Sequence, residues 1–210
     1  MGDLEYNYSG CITHVEGKSV GALETKLSSP RGDILVGRAT KYGKVFQHNG
    51  QFIVLMPGAC SEAILSGKSV RLLVDHDESK LVTSSRSGLL QFRPEKDGLS
   101  FVAQLPDTVA GREAAWLAAS GSAGMSISGQ WIRSETKRLG GEDVLLVREI
   151  ALEEISICRR GAVPGTWCSL TDMKGAMHSL RPQNFDVEGS AVRFRQAVED
   201  LSRQLSKTMA

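Results

Sequence analysis

The chain has 210 residues, 41% of them hydrophobic, 23% charged and 6% aromatic, with 25 Lys and Arg against 24 Asp and Glu. A chain of this size builds its own core, and ordinary apolar content with a net charge of +1 excludes wholesale disorder and a broad electrostatic nucleic-acid binder. No stretch approaches the roughly 20 apolar residues of a membrane helix, and MGDLEYNYSG lacks a signal-peptide core, so a soluble, intracellular protein is expected.

Residues 1–32 are polar and Gly/Ser-rich and read as a loose N-terminal segment. From Asp33 onward, short β-leaning runs follow one another: 34–40, 51–56, 69–74, 81–85, 89–93 and 99–105. Turn signals separate them, among them His48-Asn49-Gly50 and the tetrad Glu95-Lys96-Asp97-Gly98, which predicts a hairpin. A short helix is expected from Pro57 to a stop at Gly67, with Ala59, Cys60, Ala63 and Ile64 on one face. A second is expected over about Thr108–Ser120, with Gly121 as terminator. Strands resume at 125–131, 143–150 and 152–158. Many short strands with few helices predict a mainly β (α+β) fold, a closed antiparallel-rich barrel flanked by short helices, over residues 33–168. Residues 169–210 read as a linker and a helical tail, with Phe194, Val198, Leu201 and Leu205 at helical spacing.

Cys11, Cys60, Cys158 and Cys168, and the four histidines, form no close ligand pair, so no metal is expected and the cysteines are read as free thiols. There is no G-x-S-x-G elbow, P-loop or dinucleotide fingerprint, which counts against α/β-hydrolases, NTPases and dinucleotide enzymes.

Three segments carry candidate chemistry. His76 leaves the apolar strand LLV between Asp75 and Asp77, whose carboxylates would hold its imidazole near neutral pH as a general base. In GMSISG, strand periodicity sends Met125 and Ile127 to the core and leaves Ser126 and Ser128 on the other face, with Gly124 and Gly129 thinning the backbone for a substrate. In LEEISICRRG, Glu154 shares a face with Leu152, Ser156 and Cys158, whereas Glu153 falls with Ile155 and Ile157. Glu154 is thus the acid on the Ser126 side; a bulge would select Glu153 instead. Arg159 and Arg160 follow as oxyanion or substrate donors. A rival chemistry would use Cys60, Cys158 or Cys168 as nucleophile with His76. A rival of another class is a non-catalytic scaffold or binding module with the same fold.

These segments resemble the prohead serine proteases of tailed phages, which share the barrel of the herpesvirus assemblins. The resemblance rests on MPGACSEAILSG (56–67), LLVDHD (72–77), DGLSFVAQL (97–105) with the helix after it, GMSIS (124–128) and LEEISICRRGAVPG (152–165), in that order. It implies Ser126 as nucleophile, His76 as general base and Glu154 as third member, with Arg159 and Arg160 similar to an arginine pair at the oxyanion of the herpesvirus relatives. It further implies a serine endopeptidase that cuts scaffold protein or the scaffolding region of the major capsid protein, and itself, inside the assembling procapsid in the host cytoplasm. No cofactor, nucleic acid or membrane enters that expectation, and it leaves room for a homodimer.

Overall fold

The computed structural model describes residues 33–121, 123–159, 163–172 and 176. Among these residues ten strands and two α-helices follow in chain order: β1 (Ile34–Lys41), β2 (Val45–His48), β3 (Gln51–Leu55), α1 (Ser61–Leu65), β4 (Arg71–Val74), β5 (Asp77–Ser84), β6 (Leu90–Glu95), β7 (Gly98–Gln104), α2 (Val109–Ala119), β8 (Gly124–Leu139), β9 (Glu142–Cys158) and β10 (Trp167–Thr171). The N-terminal segment and most of the expected helical tail lie outside the described residues.

The strands form two sheets. One is antiparallel in the order β10-β1-β7-β6; its β6–β7 hairpin closes with Glu95 opposite Gly98, at the predicted turn. The other is mixed, in the order β2-β3-β9-β4-β5, with β8 also on β9. The expected closed barrel is corrected here: neither sheet closes, and β3 and β4 run parallel to β9. The length of β9 explains this. What reads in sequence as two strands split at Ala151 is one strand of 17 residues. Along one edge it takes β3 at Val144–Val147 and β4 at Glu154–Ile157, and along the other it takes β8. A central strand with three partners branches the sheet and leaves edges at β2, β5 and β8.

Both sheets contribute to one core. Leu35, Ala39, Leu99, Phe101 and Ala103 come from the first, and Ile53, Leu55, Leu72, Val74, Met125, Ile155 and Ile157 from the second. Alternation decides these assignments, because successive residues of a strand point to opposite faces. In α1 the face expected from sequence is the buried one, with Ala59, Cys60 and Ala63 in the core and Ile64 packed on it. Pro57–Cys60, however, form turns, because Gly58 has φ +81° and the helix cannot start before Ser61. α2 begins at the Thr108 cap, whose hydroxyl accepts from the Gly111 N–H at 3.1 Å, and gives way to Gly121 at φ +67°.

Candidate active site

The site is built on the C-terminal half of β9. Antiparallel pairing sets Ser126 opposite Ser156 and Ser128 opposite Glu154, while Met125 faces Ile157 and Ile127 faces Ile155. Paired residues share a face, so the apolar pairs enter the core and both serines stand on the other side with Ser156 and Glu154. Ser126 is only 5% exposed, and Ser128 is exposed. Thr166 fixes the residue before the serine: its hydroxyl accepts from the Met125 N–H at 3.1 Å and lies 3.0 Å from the Met125 carbonyl.

A bulge does occur in β9. Ser128 pairs with Glu154, but Gly129 pairs with Leu152, so Glu153 has no opposite number and points to solvent. The extra residue lies on the N-terminal side of Glu154. Glu154 therefore keeps phase with Ser156, and what changes face is Leu152, which enters the core rather than sharing the Glu154 side. Gly129 serves this bulge rather than substrate approach: a Cβ there would stand 2.2 Å from the Ala151 carbonyl oxygen.

His76 comes to this face by a different route. β4 lies beside β9 with Arg71 opposite Glu154 and Val74 opposite Ile157, and Val74 then pairs with Asp77 across a two-residue turn. Both turn residues have positive φ, +51° at Asp75 and +60° at His76, as a type I′ hairpin turn requires. The turn delivers the imidazole to the end of β9. There His76 Nδ1 meets Glu154 Oε1 in a direct hydrogen bond, and Ser156 Oγ donates to the same oxygen at 3.2 Å. The Glu154 side chain is 6% exposed and that of His76 is 42% exposed, so a nearly dry carboxylate holds a ring that opens to solvent.

The aspartates flanking His76 do not hold the ring. Asp77 is engaged by Ser79, whose N–H and hydroxyl donate to Oδ1 at 2.9 and 2.6 Å and hold its carboxyl below the usual range. Asp75 turns to Arg159, accepting from its backbone N–H at 3.2 Å and from Nη1 at 2.7 Å. Arg159 is thus committed to Asp75, and Arg160 lies outside the described residues. Glu153 is on the exposed side of the bulge, away from these contacts.

The thiols are poorly placed for nucleophilic work. Burial pushes Cys158 up to about 12, reinforced by the negative charges of Asp75 and Glu154. Burial likewise raises Cys60 to about 12, against a hydrogen bond from Tyr42, and Cys168 to about 11. A thiol that stays protonated at neutral pH is a weak nucleophile. Alternation places Ser156 on the Glu154 face but does not reveal its hydrogen bond to that carboxylate, and nothing local marks Thr166.

The structure joins a buried carboxylate to an imidazole through Nδ1 and places Ser126 on the Ser156 and Glu154 face of the adjoining strand. The family model of the caudovirus prohead serine proteases matches residues 22–179. The chain belongs to that family, and so to the serine proteases of capsid maturation. Solved structures similar to it include Kaposi's sarcoma-associated herpesvirus protease with an allosteric inhibitor, at 14% identity and TM-score 0.41, covering 80% of this chain and 90% of that one. The same viral protease with a dimer disruptor gives 12% identity and TM-score 0.42 at the same coverage. With a hexapeptide phosphonate inhibitor it gives 9% identity and TM-score 0.38, covering 84% and 96%. No curated protein sequence matches the chain.

Proposed function

We propose that this protein is the endopeptidase of phage head assembly and that Ser126, His76 and Glu154 are its catalytic triad. Ser126 Oγ attacks the peptide carbonyl as its proton passes to His76 Nε2, and the C–N bond then breaks as the imidazolium returns that proton to the leaving amine. Water repeats the sequence to release the acyl group, with His76 again as base. Glu154 fixes the ring through Nδ1, leaves Nε2 free, and stabilises the imidazolium formed in each half-reaction. The observation that carries this reading is the His76–Glu154 hydrogen bond on the face that Ser126 shares with Ser156.

The substrates on this reading are scaffold protein, or the scaffolding region of the major capsid protein, and the protease itself, cut inside the procapsid in the host cytoplasm. Among the described residues β8 pairs only with β9, so its outer edge, apart from the Met125 groups that Thr166 takes, is open to an extended polypeptide. A homodimer is compatible with the reading. Co-expression with the major capsid protein tests it. Wild type should shorten the capsid protein, and Ser126→Ala should leave it whole. A capsid protein that binds both forms and stays whole with both would instead identify a non-catalytic capsid-binding module.

A further inference from the structure

The turn that carries His76 is unusual in having two non-glycine residues with positive φ in succession. Such a backbone persists only where its surroundings over-determine it. Asp75 supplies that constraint at three points. Its N–H donates to the Ile157 carbonyl at 2.9 Å, its Oδ1 accepts from the Arg159 N–H at 3.2 Å, and its Oδ2 accepts from Arg159 Nη1 at 2.7 Å. Arg159 Nη2 also lies 3.5 Å from Glu113 Oε1 on α2, an oxygen that takes Lys80 Nζ of β5 at 2.9 Å.

We propose that Asp75 and Arg159 form a clamp that pins the His76 turn to the end of β9, making Arg159 a positioning residue for the general base rather than a donor to the oxyanion. This rests on the reading of His76 as that base. The clamp closes on the strand that carries Glu154, five residues beyond it, so ring and carboxylate are referred to one rigid frame. Both terminal nitrogens of the Arg159 guanidinium face carboxylates, and an oxyanion would have to compete with them for the same donors. The Arg159 side chain is 63% exposed, so its ion pairs are screened. Losing the clamp should therefore loosen the ring and not unfold the protein.

The test uses the full chain with Asp75→Asn, Arg159→Gln and the double variant. Asparagine tolerates positive φ as aspartate does, so the turn itself survives the first substitution. A fluorophosphonate probe that acylates serine is followed by intact mass over a range of probe concentrations. Each single variant should lower the maximal rate by about tenfold with an unchanged half-saturation, as for a slightly misplaced catalytic group, and the double should lose no more than either single. Losses that multiply in the double variant would mean that Arg159 acts on its own, as at an oxyanion, and would overturn the clamp. Unchanged rates in both singles would overturn it equally.

A second readout does not depend on activity. In histidine-labelled protein, the downfield Nδ1–H resonance of the His76–Glu154 hydrogen bond should weaken or shift in both single variants. Its persistence at the wild-type position would refute the clamp whatever the rates. If wild type never takes the probe but the resonance responds as expected, the clamp stands and the catalytic reading fails.

Discussion

Replacing Glu154 with glutamine isolates one charge in an otherwise preserved site. The carboxylate is 6% exposed and accepts from both His76 Nδ1 and Ser156 Oγ. Glutamine keeps the volume and an Oε1 acceptor, so the free energy of folding should change by about 1 kcal/mol or less. On the proposed mechanism, however, the His76 imidazolium formed as Ser126 is acylated loses its counter-charge. A carboxylate and a cation about 4 Å apart interact by ~4 kcal/mol at an effective dielectric of ~20. The His76 side chain is 42% exposed, which weakens this through solvent screening, leaving ~2–3 kcal/mol. At 1.36 kcal/mol per decade, the acylation rate should fall by about 100-fold. The assay is fluorophosphonate acylation followed by intact mass, with urea unfolding of the same samples to establish that the variant is folded. Glu153→Gln is the comparison, because Glu153 is exposed beyond the bulge and should matter less than about twofold. The reasoning is refuted if Glu154→Gln acylates within about threefold of wild type, or if Glu153→Gln loses as much.

Three further outcomes follow from the packing and the thiols. Gly129→Ala places a Cβ 2.2 Å from the Ala151 carbonyl oxygen, so β8 must part from β9 three residues after Ser126. Urea unfolding should show a loss of ~1–3 kcal/mol together with slower acylation, and wild-type behaviour in both would show that the bulge does not need glycine. Leu72→Ala removes a fully buried side chain from the layer beneath the site and should cost about 2–5 kcal/mol in the same experiment, with a smaller loss showing that the layer collapses freely. Burial raises the Cys60 thiol from 9.0 to about 12, so the folded state holds that proton more tightly than the unfolded chain. The stability this contributes is complete below pH 9.0 and drains away as pH rises towards about 12. The stability difference between wild type and Cys60→Ala should therefore shrink steadily above pH 9.0, and a pH-independent difference would contradict it.

Features set by local periodicity were legible in the sequence. Alternation separated Met125 and Ile127 from Ser126 and Ser128, and the register of β8 on β9 has them on opposite faces. The Glu95–Gly98 turn and the buried face of α1 were readable for the same reason, since short-range pattern decides both. What escaped depends on distant parts of the chain. The parallel pairing of β3 and β4 along one edge of β9 has no local signature, and without it two runs split at Ala151 suggest a barrel of short strands. β2 and β10 lack the apolar run that marks β3 and β4 at the same lengths, since VFQH and WCSLT stay largely at the surface. The Asp75-His76 turn lacks the glycine that usually betrays its backbone, so the flanking carboxylates read as partners of the imidazole. Nothing near residue 75 indicates that its carboxylate belongs to Arg159, which is 84 residues away.

The nucleophile itself is tested most directly by mapping the fluorophosphonate adduct on wild type, Ser126→Ala and His76→Ala. A single adduct on Ser126 in wild type, absent from Ser126→Ala and slowed by several orders of magnitude in His76→Ala, is the predicted result. An adduct on another residue, or equal labelling of wild type and Ser126→Ala, would contradict the assignment of Ser126.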